Sequence, residues 1–112
     1  MKLYHNPRCS KSRQGLAILQ DAKVDFEIIE YIKNPLTEKE LKSILSKLKI
    51  EPIDLVRKNE AIWKEQYKGE KLSNQQIINA LIEHPKLIER PIFINNNVAV
   101  IGRPPEKIIS II

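Results

Sequence analysis

Residues 1–31 read MKLYHNPRCSKSRQGLAILQDAKVDFEIIEY, and the alternation of breakers and apolar runs in them sets the fold. Met1 to His5 is a short β-prone run that Asn6-Pro7 breaks. From Ser10 to Ala22 the pattern turns helical, with Leu16 and Leu19 on one face and Gly15 inside it. Val24 to Tyr31 then reads as a second strand, with Phe26, Ile28 and Ile29 apolar. Strand, turn, helix, strand favours a right-handed βαβ unit with parallel strands.

Asn34-Pro35 closes that unit. Thr37-Glu38-Lys39-Glu40 is a capping box, and Leu41, Ile44, Leu45 and Leu48 follow at helical spacing. Pro52 opens a short helical piece through Val56, and Glu60 to Gln66 is a further helix that Gly69 stops. Trp63 and Tyr67 look like packing residues there. Ser73-Asn74-Gln75-Gln76 is a second capping box, followed by Ile77, Ile78, Leu81 and Ile82 and ended by His84-Pro85. Pro91 to Ile94 and Val98 to Ile101 are β-prone, and Asn95-Asn96-Asn97 between them tolerates the positive φ of a tight antiparallel hairpin. Pro104-Pro105 starts a terminal helix with Ile108, Ile109 and Ile112 as its buried side. The sum is β-α-β, a helical middle at about 35–88, then β-β-α. The expected fold is α/β: a thioredoxin-like, mixed four-stranded sheet flanked by helices, with the helical middle as an insertion.

A length of 112 residues fits one core, so a single domain over 1–112 is expected. Hydrophobic residues at 42% and charged residues at 29% are a globular balance. No apolar run is long enough to span a membrane, and the first residues hold no apolar signal core, so the expected setting is cytoplasmic. The net charge is +5. Residues 1–20 hold Lys2, Arg8, Lys11 and Arg13 and no acid; residues 101–112 add Arg103 and Lys107 against Glu106. The rest is balanced, and aromatics are only 5%. That distribution points to a small, local anion site and away from a nucleic-acid partner.

Cys9 is the only cysteine, so an internal disulfide is excluded. Cys9, His5 and His84 have no spacing that builds a metal site, and none is expected. Cys9 falls in the strand-to-helix turn His5-Asn6-Pro7-Arg8-Cys9-Ser10-Lys11-Ser12-Arg13. Free N–H groups and the positive end of the helix dipole meet there. They favour a thiolate, as do Arg8, Lys11, Arg13 and His5, and the same N–H groups can cradle an oxyanion. Ser12 stands where a redox dithiol has its second cysteine; its hydroxyl is either a cap or an active-site hydrogen bond. An adduct on Cys9 therefore needs an outside thiol to resolve it. Arginine at 15 would make a phosphatase-type loop, and Gly15 stands there instead. Of the five arginines, Arg57, Arg90 and Arg103 lie near element ends, where a planar guanidinium fork suits a tetrahedral oxyanion.

The active-site-like segment 5–13 resembles that of the glutaredoxin-coupled arsenate reductase (ArsC) family. So do Tyr31 to Pro35, Leu55-Val56-Arg57-Lys58-Asn59, His84 to Ile92, and Gly102-Arg103-Pro104-Pro105-Glu106. The resemblance runs in order along essentially the whole chain. It implies Cys9 as nucleophile, His5 as the histidine that tunes it and Ser12 as the serine that hydrogen-bonds it. It implies Arg57, Arg90 and Arg103 as the arginines that hold arsenate, Arg90-Pro91 as a cis-proline position, and no bound cofactor. Glutathione would be the co-substrate and glutaredoxin the partner that clears the mixed disulfide. Two other functions share these residues. One is a glutathione-dependent thiol oxidoreductase acting on another substrate. The other is an Spx-type regulator that binds RNA polymerase, against which Ser12 in place of a second cysteine counts.

Overall fold

In the computed structural model, which describes residues 1–67 and 69–112, strand β1 (Lys2–Tyr4) pairs in parallel with β2 (Glu27–Ile29), Leu3 opposite Ile28. Helix α1 (Ser10–Asp21) makes the crossover. Strand β3 (Ile92–Asn95) pairs antiparallel with β1, Leu3 opposite Phe93, and β4 (Val98–Ile101) pairs antiparallel with β3. The result is the thioredoxin-like mixed sheet, four-stranded, in the order β2-β1-β3-β4. The β3–β4 hairpin turns on Asn96 at φ 56, a conformation asparagine accepts at little cost.

The strands are shorter than the β-prone runs. Of Val24 to Tyr31, only Glu27–Ile29 is strand. Val24 and Phe26 pack instead against the core, and Tyr31 is fully buried in the turn that follows. The terminal helix is also corrected: Pro105–Ile111 is a 3-10 helix, with Lys107 N–H on the Pro104 carbonyl at 3.1 Å, and of its expected buried side Ile108 is buried while Ile109 and Ile112 are exposed. Paired prolines without N–H groups and a run of β-branched isoleucines disfavour continuous α-helical bonding there.

Residues 1–34 and 90–112 form one compact unit. Its core is Leu3, Leu19, Phe93 and Ile108, all fully buried, and burying each such side chain is worth roughly 1.5–3 kcal/mol. Two glycines let this core close. A Cβ on Gly15 would stand 2.9 Å from Ile108 Cδ1 and 3.0 Å from Pro91 Cγ. One on Gly102 would stand 2.9 Å from the same Pro91 carbon. Helix α1, the segment after β4 and Pro91 therefore meet at a distance only glycine permits.

Residues 35–89 form the second unit. Helix α2 (Glu38–Leu48) starts at Thr37 and helix α4 (Asn74–Glu83) at Ser73, each with the capping box read from the sequence. Between them lie a 3-10 turn at Pro52–Leu55 and helix α3 (Ala61–Gln66). Leu41, Ile44, Leu45, Ile77 and Leu81 are buried, as their helical spacing predicts. Two further features carry no local sequence signal. Pro85–Leu87 is a 3-10 turn, and an antiparallel bridge joins Val56 to Ile88. Arg57 N–H donates to the Leu87 carbonyl at 2.7 Å and Glu89 N–H to the Leu55 carbonyl at 2.8 Å. This short ladder brings Arg57 and Glu89 side by side.

Candidate functional site

Cys9 is the N-cap residue of α1, with extended backbone angles of φ −95 and ψ 124. No side chain caps this helix start, and its first turn holds no acid. The helix closes with Arg13 N–H on the Cys9 carbonyl at 3.0 Å, which leaves the N–H groups of the first turn without intrahelical partners. The half-buried thiol sits among them.

Two opposed effects set its acidity. Burial alone pushes the Cys9 thiol up. The Ser12 main-chain N–H, the hydrogen bond and charge of Arg90, and the Lys11 main-chain N–H act the other way. Together they outweigh burial, and the thiol lies below its ordinary value. Arg90 reaches this position from two residues before β3, with Pro91 between. Its peptide bond to Pro91 is cis, and Pro91 is the residue packed against Gly15 of α1. The Arg90 side chain is buried, at 8% exposed, so its charge acts with little solvent screening.

His5 and Ser12 form a buried pair behind the thiol. His5 Nδ1 lies 2.6 Å from Ser12 Oγ, and Asn6 N–H donates to the same oxygen at 3.0 Å. The Ser12 hydroxyl is thus spent on His5 and Asn6, and the Ser12 group that meets Cys9 is the main-chain N–H. His5 is 5% exposed. Burial lowers its pKa first; the Glu30 carboxylate opposes, the Arg13 charge adds to the lowering, and the Ser12 hydrogen bond opposes. The net is below the ordinary 6.5, which favours the neutral imidazole.

The other arginines are placed differently. Arg103 follows β4; its N–H donates to the Ile101 carbonyl at 2.8 Å, and its bond to Pro104 is also cis. Arg57 belongs to the second unit, where Nη1 pairs with Glu60 Oε1 at 2.8 Å and Nε with Glu89 Oε2 at 4.0 Å. Arg13 donates to the Pro7 carbonyl at 3.0 Å, while Arg8 and Lys11 are exposed. Sequence reading did not single out Gly15, Gly102 and Pro91 as the packing that delivers Arg90. A glycine inside a helical pattern, costing ~1 kcal/mol against alanine, was the available signal. Among the described residues, no group of three or more His, Cys, Asp or Glu side chains could hold a metal ion. No helix there is long and apolar enough to cross a membrane.

This arrangement, a lowered thiol at an uncapped helix start beside a buried arginine, can attack an electrophilic centre and hold the oxyanion attached to it. The family model described as ArsC family matches residues 4–111. The chain belongs to the ArsC family. It is 40% identical to the Escherichia coli protein named "Uncharacterized protein YfgD", over 100% of this chain and 96% of that protein. It is 39% identical to a Haemophilus influenzae protein named "Arsenate reductase", over 98% of this chain and 97% of that one. A solved structure, "Arsenate reductase from Vibrio cholerae", superimposes with a TM-score of 0.95 at 40% identity, covering 100% of this chain and 98% of that one. For an ArsC-family chain, the loop around Cys9 is where residue-by-residue chemistry can be tested.

Proposed function

We propose that this chain reduces arsenate to arsenite through a covalent adduct on Cys9. The observation that carries the reading is the Cys9 thiol at the open start of α1 with the buried Arg90 guanidinium bonded to it. ArsC-family membership and relatives named arsenate reductase supply the substrate class.

The steps follow from charge. Arsenate, an oxyanion, enters a basic setting to which Arg8, Lys11, Arg90 and Arg103 contribute. The Cys9 thiolate attacks arsenic, a sulfur–arsenic bond forms, and an arsenate oxygen leaves as hydroxide or water. Arg90 stabilises the charge that gathers on the remaining oxygens. The thiolate of glutathione then attacks the Cys9 sulfur. The sulfur–arsenic bonding pair stays with arsenic, which takes up two electrons and departs as arsenite. Cys9 is left as a mixed disulfide with glutathione. Glutaredoxin accepts the glutathione moiety through its own thiol and returns Cys9 as thiolate. Glutathione chemistry of this kind belongs to a reducing compartment, the cytoplasm.

The test follows NADPH oxidation with glutathione, glutathione reductase, a glutaredoxin and arsenate. Arsenate-dependent oxidation is expected with this protein and is expected to fall by roughly three orders of magnitude in Cys9→Ser. No arsenate-dependent rate above that of Cys9→Ser overturns the reading. A second reading, a glutathione-dependent thiol oxidoreductase with another substrate, draws on Arg57, whose charge is already met by Glu60 and Glu89. Under that reading, the same assay shows Cys9-dependent oxidation with a small organic disulfide and none with arsenate.

A further inference from the structure

We propose that Asn6 is a positioning residue for the Cys9 nucleophile, locking the 6–9 turn so that the sulfur faces the open N–H groups of α1. The inference rests on the reading of Cys9 as nucleophile. Asn6 commits its side-chain oxygen, its carbonyl and its main-chain N–H to local bonds. Its side-chain Oδ1 accepts the Arg8 N–H at 3.1 Å, the signature of an Asx turn. Its carbonyl accepts the Cys9 N–H at 3.0 Å, closing the turn across Pro7 and Arg8. Its own N–H donates to Ser12 Oγ at 3.0 Å, tying the turn to a fully buried residue of α1.

The consequence for the sulfur is specific. The Cys9 N–H is consumed by Asn6, so the main-chain donors that meet the sulfur are those of Lys11 and Ser12. Cys9, at the end of this turn, holds the extended backbone of an N-cap residue. Arg13, on the same helix, clamps the turn from outside through the Pro7 carbonyl. The residue type also follows. Aspartate would make the same turn, but its carboxylate would stand close to the thiolate and oppose it. Alanine lacks the acceptor. Asparagine gives a neutral acceptor of the right length.

The test is iodoacetamide alkylation of Cys9 against pH in the full chain, beside kcat/KM for arsenate. Asn6→Ala is expected to raise the alkylation midpoint by about one pH unit, and so to slow alkylation about tenfold below both midpoints. Asn6→Ser, whose hydroxyl can accept the Arg8 N–H, is expected to recover more than half of that shift. Should Asn6→Ala fail to fold, Asn6→Gln, which moves the amide out of reach of the turn, carries the same expectation. A midpoint unchanged in the folded Ala or Gln variant overturns the positioning role. So does a Ser variant that titrates like Ala, because a merely structural loss would not be rescued by an acceptor. Absence of arsenate turnover in the unaltered protein overturns the substrate reading alone and leaves the Asn6 shift standing.

Discussion

The start of α1 and the starts of α2 and α4 solve one physical problem in opposite ways. Every helix begins with N–H groups that have no intrahelical partner. At α2, Thr37 accepts the Glu40 N–H and the Glu40 carboxylate returns to the Thr37 N–H, at 3.1 and 3.2 Å. At α4, Ser73 and Gln76 do the same. Those helices are closed and anchor the insertion. Helix α1 has cysteine at the N-cap, no side-chain cap and no acid in its first turn. Its donors meet the Cys9 sulfur, whose acidity they raise, and the cost of leaving a cap out is accepted where chemistry needs the donors. The arginines differ in parallel: Arg90 is buried and bonded to sulfur, whereas Arg57 is held by carboxylates.

The arginines give the largest expected contrast. Arg90→Ala is expected to lower kcat/KM for arsenate by about a hundredfold and to raise the Cys9 alkylation midpoint. Arg90→Lys recovers only part, since an ammonium lacks the planar fork. Arg57→Ala removes a guanidinium already held by Glu60 and Glu89, and is expected to change kcat/KM for arsenate by less than about threefold and leave the alkylation midpoint in place. Its partly exposed ion pairs leave stability within about 1 kcal/mol of the unaltered chain. Equal shifts of the midpoint in both variants would erase the distinction.

Exchanging the caps tests the comparison directly. Thr37→Ala is expected to lower stability in urea unfolding by ~1 kcal/mol and leave Cys9 alkylation unchanged. Cys9→Ser places a preferred N-cap residue on α1. It is expected to match or exceed the unaltered chain in stability while losing turnover. A Cys9→Ser protein clearly less stable than its parent would show that the cysteine holds the helix start structurally.

The smallest effect concerns His5. Its folded pKa is lowered, so the unfolded chain takes the proton first as pH falls. The stability His5 contributes is present in full above 6.5 and is lost as pH drops through the lower folded value. His5→Gln is expected to flatten the stability-against-pH curve in that window, as read by urea midpoints at successive pH values. An unchanged slope would mean that His5 is not held neutral by burial.

Much of this was legible in the residues themselves. The β-α-β order came from Asn6-Pro7 and the helical run after Cys9, the insertion from two capping boxes, and the hairpin from three asparagines. These are local signals, and local hydrogen bonding honours them in the structure. Cys9 was legible for the same reason: its chemistry comes from its neighbours in sequence, Lys11 and Ser12. What tertiary structure decided were the contacts between distant segments. Arg90 lies far along the chain from Cys9, and it meets the sulfur because Pro91 seats on Gly15. Ser12 offers both a hydroxyl and an N–H, and only folding decided that the hydroxyl goes to His5 and Asn6 while the N–H meets the thiol. The Val56–Ile88 bridge was likewise settled by packing. Sequence specifies what a residue offers within a turn or two of itself. Which donor or charge arrives from elsewhere depends on close packing of the core, which no local pattern encodes.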